Sequence, residues 1–447
     1  MTIFNVVDYG AVGDGKTIVT DQFNEAIAAV KQAGGGTVYV PSGIFRVSSL
    51  RLESNMELHV SPGATLSFIT EQDSYPVVFS RWEGWTQDVY QSCLYAEDAE
   101  NIIVSGGGMI DGNGQDWWDL FRNHREDLKY PRPKLISFQN SKRITIKDVQ
   151  LRNSPSWTIN PILSYDITVD NVSILNPADS PNTDGINPES CSNVRISNCN
   201  LDVGDDCIAI KAGTEDAREL ISCENITITN CTMIHGHGGV VIGSEMSGDI
   251  RNVTISNCVF KQTDRGIRLK TRRGRGGVVE DIRIDNIVMD EVICPFILNL
   301  YYFCGPRGKE KYVWDKNPYP VTKETPGFRR IHFNNITARN VQGAAGFIYG
   351  LAENYISDIT FNNIDIHMAE GAEPGEVAMM TGLEPMNNRG FYIGNGENIL
   401  LNHVSVENHE GSMIYLENCR NVVTEKCVSK GTKKTELLVE EKEINFS

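Results

Sequence analysis

Residues that could carry acid–base chemistry or bind an anion recur at matched places in this sequence: Asp184, Asp205, Asp206, His237, Arg268 and Lys270. Three carboxylates in one patch repel one another, so at least one is expected to have a raised pKa and to act as a general acid while the others stay ionised. Glycoside hydrolysis needs this division, because one carboxylic acid protonates the leaving oxygen and a carboxylate activates water or attacks carbon.

The basic residues of this group indicate what kind of molecule would bind. Arg268 and Lys270 lie two residues apart and point to the same side of a strand. With Arg272, Arg273 and Arg275 they form the clearest basic cluster of the chain. The net charge of -17 excludes a general nucleic-acid or anionic-membrane binder, which needs a broad basic surface. A carboxylated sugar is therefore expected at this local cluster.

Each motif alone has a plainer interpretation. Asp205-Asp206 after Gly204 is compatible with a solvated turn, His237 with a turn between glycines, and Arg268-x-Lys270 with an exposed strand face. Their occurrence on neighbouring repeats favours a functional site.

A short unit of the form Asn/Asp-Val/Ile-x-Ile-x-Asn-Cys/Val/Ile recurs along most of the chain. The intervals are mostly about 23 to 32 residues, with room for loops in the wider ones. Its starting residues are Asn101, Arg143, Asp166, Asn193, Asn225, Asn252, Asp281, Arg330, Asp358, Asn398 and Asn421.

Each unit alternates apolar and polar residues and ends in an Asn, which predicts a short strand followed by a turn residue that tolerates the αL conformation. Such strands bury a continuous core only when they stack coil upon coil. Cysteines alternate at one core slot with Val172, Ile287, Ile336 and Ile364, so they are read as reduced, buried thiols rather than metal ligands or disulfides. The cysteines concerned are Cys199, Cys231, Cys258 and Cys427.

These features predict an all-β, single-domain right-handed parallel β-helix over residues 1–447, because leucines are not periodic and no amphipathic helix recurs. Residues 1–60 would form an N-terminal cap and the first coils, 100–430 the main coils, and 431–447 a C-terminal tail. One capping helix is expected, with Thr20 or Asp21 as N-cap, Phe23, Ile27 and Val30 on its apolar face, and an end at Gly34-Gly35-Gly36.

Aligning the repeats places Thr183-Asp184-Gly185-Ile186-Asn187, Asp205–Ala209, His237–Val241 and Asp264–Arg268 in register. Asn187, Ala209, Val241 and Arg268 then share one row, and Glu189, Lys211, Gly243 and Lys270 the row two residues on. The expected result is one outer surface patch of carboxylates, an imidazole and cations.

With these residues the sequence resembles the polygalacturonases, family 28 of the glycoside hydrolases. The resemblance rests on four ordered motifs: Asn182-Thr183-Asp184, Gly204-Asp205-Asp206, Gly236-His237-Gly238 and Arg268-Leu269-Lys270. Asp8–Gly15 and Gly35–Pro41 also look like the N-terminal cap of bacterial members.

The resemblance implies an inverting hydrolase without a metal or other cofactor, acting on α-1,4-linked galacturonic acid. Asp205 would be the general acid, and Asp184 with Asp206 would position and deprotonate water, with a carboxylate separation of about 6.5–9.5 Å. His237 would tune the acid. Substrate would be bound by Asn182, Lys211, Arg268, Lys270 and a tyrosine of the pair Tyr301-Tyr302.

Exo-action is expected because two aromatic-rich segments could close one end of a cleft. One lies between Asp281 and Arg330, and the other runs from Trp117-Trp118 to Pro133. Lys211 departs from many fungal members, which often carry a neutral residue there.

Three alternatives stay open at this stage. A rhamnogalacturonan or xylogalacturonan hydrolase would share the motifs. A pectate lyase would share the fold but has no need of the acid constellation. A non-catalytic carbohydrate-binding solenoid would need none of the aspartates.

No secretory signal precedes Asp8, and no apolar run approaches the length of a membrane span. A cytoplasmic location is therefore expected, with a galacturonate oligosaccharide or polysaccharide as partner, no nucleic acid and no membrane. The oligomeric state is not indicated by the sequence.

Overall fold

The computed structural model describes residues 2–303, 305–431 and 437–440. The chain forms two compact units, Met1–Ala209 with Glu224–Thr227, and Ile210–Cys223 with Ile228–Ser447. We call these the first and the second unit. The predicted single domain stays a prediction, and most of the predicted tail 431–447 lies outside the described residues.

Most of the first unit consists of short parallel strands, each paired with the equivalent strand of the next coil. Their bounds are Ile3–Asn5, Asp14–Ile18, Gly36–Val40, Gly43–Val47, Leu50–Arg51, Met56–Val60, Ala64–Phe68, Leu94–Glu97, Glu100–Ser105, Met109–Asp111, Ile136–Gln139, Lys142–Lys147, Gln150–Arg152, Tyr165–Asp170, Ser173–Leu175, Ser192–Ser197 and Asn200–Val203. An antiparallel hairpin, Val77–Trp82 with Trp85–Tyr90, is added to them.

In the second unit the strands are again parallel, and several of them span 12 to 15 residues. Their bounds are Thr232–His235, Gly238–Gly243, Ile250–Lys261, Arg265–Lys270, Val278–Asp290, Cys294–Asn299, Gly327–Val341, Ala344–Tyr349, Ile356–Met368, Arg389–Gly394, Gly396–Glu407, Glu410–Glu417, Arg420–Glu425, Val428–Lys430 and Leu438–Glu440. The residues of Asp206–Ile210 and Cys223–Thr229 are divided between the two units.

The described residues include three α-helices, α1 (Thr20–Gln32), α2 (Gln115–Asn123) and α3 (Lys311–Trp314). Single 3-10 turns span Val6–Tyr9, Gln72–Ser74 and Arg125–Asp127. In the described part of the chain, no helix is long and apolar enough to cross a membrane.

Two kinds of strand differ in burial. Along Val278–Asp290 buried and accessible residues alternate, as in a sheet with one face in water. Every residue of Arg265–Lys270 and of Cys294–Asn299 is buried. We call the first kind alternating strands and the second kind covered strands; Asp206–Ile210, Gly238–Gly243 and Ala344–Tyr349 are also covered.

The predicted αL residues are present. Asn198, Asn230 and Asn257 have φ of 56°, 56° and 55°. All the repeat starts also have positive φ, including Arg143 and Arg330 at 54°, which the sequence did not indicate. Asn is favoured at such bends because its short side chain tolerates αL and reaches the next coil. For example, the Asn286 amide donates to Oδ1 of Asn257 at 2.7 Å.

The core slot is confirmed for Cys258, which pairs with Ile287, and Ile287 with Ile336, whereas Cys427 is only partly buried. All the described cysteines are free thiols, and Cys258 is buried. Burial raises the pKa of the Cys191 and Cys294 thiols to about 12, so both are protonated at neutral pH.

The fold class is the predicted one, a right-handed parallel β-helix built mostly of parallel strands. Helix α1 buries the expected Phe23, Ile27 and Val30. Its predicted cap is wrong, because the N-cap is Val19 and makes no side-chain capping bond. The hydroxyl of Thr20 instead accepts from the amide of Ser48 at 2.9 Å.

Candidate active site

Two acid-bearing segments of the first unit lie side by side in the predicted register. Ile186 and Ile208 are parallel partners. The amide of Gly185 donates to the carbonyl of Asp206 at 3.0 Å. Asp184 therefore precedes Ile186 by the same two residues that separate Asp206 from Ile208, and the two aspartates lie on neighbouring coils.

The glycines and the threonine of these motifs permit this close approach. A Cβ on Gly204 would lie 2.3 Å from the carbonyl oxygen of Ser180, and one on Gly185 would lie 2.4 Å from that of Cys207. The amide of Gly204 donates to Oγ1 of Thr183 at 3.3 Å, which joins the first motif to the second. No side chain larger than hydrogen fits at either glycine.

The aspartates are less accessible than predicted. Asp184 is 3% exposed and Asp206 2% exposed, while Asp205 is partly exposed. Oδ2 of Asp184 accepts from Nδ2 of Asn187 at 2.8 Å, and Oδ1 of Asp205 accepts from the amide of Asp206 at 3.0 Å. The predicted exposure on an outer surface is therefore wrong for Asp184 and Asp206, and Asp205 alone of the three aspartates keeps a partly accessible side chain.

Arg132 is a residue of this region that the sequence did not indicate. It is 2% exposed, and its Nη atoms donate to the carbonyl oxygens of Pro155 and Pro181 at 2.8 and 2.9 Å and to Oδ1 of Asn182 at 2.7 Å. Burial lowers the pKa of Arg132 to about 9, and the carboxylates of Glu83 and Asp184 oppose this shift. The first motif thus has a buried cation beside it. No periodicity marks Arg132, which lies in a loop.

In the second unit the cationic motif has the predicted register. Val241 pairs with Arg268, and Gly243 with Lys270. A Cβ on Gly243 would lie 2.1 Å from the carbonyl oxygen of Lys270, so glycine is required there. His237 is exposed at the turn before the strand Gly238–Gly243.

Arg268 and Lys270 share an aromatic neighbour. The Arg268 guanidinium carbon lies 5.7 Å and the Lys270 Nζ 5.3 Å from the centre of the Tyr302 ring. Nη2 of Arg268 also donates to Sδ of Met379 at 3.3 Å. Both cations are buried, so they are held in one orientation rather than extended into water.

The structure separates the two tyrosines that the sequence left as alternatives. Both tyrosines are buried, at 0% and 7% exposure for Tyr301 and Tyr302, but Tyr302 lies beside the cation pair, whereas the Tyr301 hydroxyl accepts from Nη2 of Arg273 at 3.4 Å. Burial raises the pKa of Tyr301 to about 12. A substrate-contacting role for Tyr301 is therefore not supported, because adjacent residues point to different neighbours.

Lys211 has an internal partner. Its Nζ lies 2.8 Å from Oε2 of Glu245, and both residues are buried. Burial raises the pKa of Glu245, but the charges of Lys211 and Arg275 outweigh it and hold that pKa below its ordinary value. Glu245 had no sequence signal, and its pairing means that Lys211 does not add a full charge for substrate.

The rest of the predicted basic cluster is structural. Arg272 pairs with Glu215 at 2.8 Å and Arg273 with Glu353 at 2.6 Å, and Arg275 lies 3.4 Å from Glu215. All three arginines are buried. The expectation that they help to hold a carboxylated sugar is not supported, because all three are buried and have internal carboxylates as neighbours.

Trp117 and Trp118, expected beside a cleft, are also buried. Trp117 packs edge-on against Tyr75, with ring centres 5.5 Å apart, and Nε1 of Trp118 donates to the carbonyl of Ser154. Helix α2 therefore uses them to attach itself to the first unit.

Among the described residues, one group has ligand atoms spaced closely enough for a metal ion, namely His124, Glu126 and Asp127. All three are exposed, at or directly before the 3-10 turn Arg125–Asp127, and exposed acidic groups are common without a metal. The expectation of a metal-free enzyme stays a prediction.

Comparisons with known proteins agree with the motifs. The model of the glycosyl hydrolases family 28 matches residues 36–381. A Vitis vinifera protein named "Probable polygalacturonase" is 34% identical over 387 residues, which cover 83% of this chain and 75% of the relative. An endo-polygalacturonase of Pectobacterium carotovorum subsp. carotovorum is 33% identical over 344 residues, with 70% of this chain and 80% of the relative covered.

Among solved structures, a hyperthermoactive exopolygalacturonase from Thermotoga maritima is similar with a TM-score of 0.74 and 30% identity, covering 90% of this chain and 91% of the other. The chain therefore belongs to glycosyl hydrolase family 28, the family of the polygalacturonases, which hydrolyse pectin.

Proposed function

We propose that the chain hydrolyses α-1,4-linked galacturonic acid in pectin-derived chains with inversion at the anomeric carbon. The observation that carries the proposal is that the segments bearing Asp184 and Asp206 lie side by side, since Ile186 and Ile208 are parallel partners, with Asp205 next to them and partly exposed. Asp205 acts as general acid. Asp184 and Asp206, which are held as hydrogen-bonded or buried carboxylates, orient and deprotonate the attacking water.

The remaining residues have supporting roles in this proposal. His237 tunes the protonation of Asp205. Arg268 and Lys270 bind the carboxylate of a galacturonate next to the cleaved bond, because a guanidinium and an ammonium fixed over one ring form a specific anion site. Tyr302 and Asn182 complete the contacts to the sugar.

We further propose exo-action by a bacterial type of enzyme. Support comes from the likeness to the Thermotoga maritima exopolygalacturonase over 90% of the chain. The 33% identity to an endo-polygalacturonase favours the other mode, so the question needs a direct test. Early products from long polygalacturonate should be monomer or dimer, and an early mixture of internal fragments contradicts exo-action.

Inversion is tested by following the anomeric configuration of the first product by NMR during digestion of defined oligosaccharides. The β-anomer should appear first. The same panel should include rhamnogalacturonan and xylogalacturonan oligosaccharides. If either is cleaved faster than galacturonan, that polymer and not galacturonan is the preferred substrate. A pectate lyase would produce an unsaturated product that absorbs near-ultraviolet light, and no such absorbance should develop.

The proposed location is the cytoplasm, with imported galacturonate oligosaccharides as substrate. The free, mostly buried cysteines are compatible with a reducing compartment. Cell fractionation with antibody detection tests this, and recovery outside the cytoplasm contradicts it.

A further inference from the structure

The hairpin Val77–Trp82 with Trp85–Tyr90 lies outside the repeating coils and has no assigned role. It is attached to the first unit at several points. The Ser80 hydroxyl donates to Oε1 of Gln139 at 2.6 Å, and Nζ of Lys134 donates to the carbonyl of Arg81 at 2.7 Å. The hairpin is therefore held in one orientation over neighbouring coils.

A buried ion pair fixes the end of the first hairpin strand. Nη1 of Arg81 lies 3.3 Å from Oε1 of Glu189 and donates to Oγ of Ser190 at 2.9 Å. Both charged side chains are almost fully buried. Such a pair adds little net stability, because desolvation offsets the attraction, but it tolerates only one geometry. Glu189 follows Asn187, the amide that binds Asp184, on the same short segment.

Trp82 is the next residue of the hairpin and is partly exposed. Its ring stacks on that of Trp157, with centres 5.3 Å apart and planes 17° from parallel. Trp157 is buried, and the amide of the following residue, Thr158, donates to the carbonyl of Asp184 at 2.8 Å. The indole of Trp82 is thus supported from below by a ring that adjoins the first acid motif.

The environment of Trp82 combines an aromatic face with buried positive charge. Nζ of Lys134 lies 5.2 Å from the centre of the Trp157 ring, and Arg132 interacts electrostatically with both Asp184 and Glu83, the residue after Trp82. Pyranose rings have a face of C–H bonds that packs on the electron-rich face of an indole, and uronate carboxylates are attracted by nearby cations.

We propose that Trp82 is a stacking platform for a galacturonate ring of the substrate other than the two rings that flank the cleaved bond. This inference rests on the proposed function. It assigns to the hairpin the recognition of chain length, and to the Arg81–Glu189 pair the positioning of the platform.

The test uses the purified full chain and galacturonate dimer, trimer and tetramer. For Trp82→Ala, kcat/KM on trimer and tetramer should fall about fivefold to tenfold, mainly through KM, because a contact shared by ground and transition states is lost. The dimer, which occupies only the positions at the cleaved bond, should be affected less than twofold. Trp82→Phe should recover most of the loss, since a ring remains.

Phe79→Ala is the matched control, because Phe79 is 64% exposed on the same strand of the hairpin. It should behave as the unmodified chain. The proposed role of Trp82 is contradicted if kcat/KM falls equally in Phe79→Ala, if it falls equally on the dimer, or if Trp82→Phe does not recover it. Thermal melting of all variants shows whether Trp82→Ala is folded, and calorimetric binding of trimer to Asp205→Asn with and without Trp82→Ala gives a readout independent of turnover.

Failure of this inference differs from failure of the proposed function. If Trp82→Ala cleaves trimer and tetramer at the unmodified rate while Asp205→Asn does not cleave them, the platform is wrong and the hydrolase assignment stands. If the unmodified chain cleaves none of the galacturonates, the proposed function fails first.

Discussion

The alternating and the covered strands of the second unit have the same pairing and very different surroundings. Along Val278–Asp290 buried side chains recur every two or three residues, with the longer steps at the αL residues Asp281 and Asn286, and the remaining side chains are accessible to water. On Arg265–Lys270 the outward side chains are buried too, and two of them are cations. The repeat therefore accounts for the inward side chains of both kinds of strand. Where outward polar side chains are shielded from solvent depends instead on the segments that lie over the outward face.

A row of polar side chains that is shielded from solvent differs physically from a row that is exposed to water. Charged groups interact more strongly when they are shielded from solvent, so a few partners are enough to fix the orientation of a side chain. Arg268 illustrates this, with Tyr302 and Met379 as neighbours, whereas Arg283 on the alternating strand Val278–Asp290 is exposed. Function and stability are therefore expected to depend on how far the outward side chains of a strand are shielded from solvent.

The largest effect is expected for Asp205→Asn, which removes the proposed general acid. The rate should fall roughly 10²–10⁴-fold, since an amide cannot protonate the leaving oxygen. Substrate binding, measured by calorimetry, should remain. Asp202→Asn is the matched control, because Asp202 is partly exposed on the preceding alternating strand Asn200–Val203. Equal losses in both variants would remove the basis for placing catalysis next to the covered strand Asp206–Ile210.

The second prediction concerns stability. Ile297 lies in the outward row beside Arg268 on a covered strand and is 1% exposed, while the outward Val288 of an alternating strand is 45% exposed. Ile297→Ala should lower the free energy of unfolding by about 2–5 kcal/mol, because it leaves a cavity. Val288→Ala should change it by less than about 0.5 kcal/mol. Denaturant unfolding measures both, and similar values would mean that the cover contributes little.

Sequence periodicity predicted the core residues and the strand register within each unit, because both depend on side-chain alternation within a repeat. It therefore placed Asp184 beside Asp206, and Arg268 beside Val241, correctly. It could not predict which outward rows are buried. The covering segments have no repeat, and Arg132 and Met379 lie in them.

The ion pairs could not be predicted from the sequence pattern either. Arg272, Arg273 and Arg275 look like an anion site in the sequence, but their partners Glu215 and Glu353 are far away along the chain. The choice between Tyr301 and Tyr302 also depended on surroundings, since adjacent residues point in opposite directions.

The third prediction concerns Arg132, the buried cation beside the first acid motif. Arg132→Gln should lower kcat/KM about tenfold, because Asn182 loses a charge-assisted hydrogen bond and ionised Asp184 loses a nearby positive charge. The acidic limb of the pH profile should move to higher pH, since protonation of the carboxylate becomes easier.

Arg132→Lys keeps the charge and should restore the position of that limb, though not the full set of guanidinium hydrogen bonds, in which Nη1 donates to the carbonyl oxygens of Pro155 and Pro181 and Nη2 to Asn182. Arg152→Gln, a partly exposed arginine on the strand Gln150–Arg152, serves as control. An unchanged acidic limb in Arg132→Gln would make Arg132 a purely structural residue.

The smallest effect is expected at Met379, which covers Arg268 without carrying charge. Nη2 of Arg268 donates to its sulfur, and Nδ2 of Asn299 donates to its carbonyl at 3.2 Å, so the backbone position survives truncation while the side-chain contact does not. Met379→Ala should raise KM about threefold with kcat nearly unchanged, because the guanidinium loses orientation that is used equally in ground and transition states. Met386→Ala, on the same loop and partly exposed, should leave KM unchanged. A fall in kcat with constant KM would instead place Arg268 in contact with the reacting atoms, and the cover would then act on the chemical step rather than on binding.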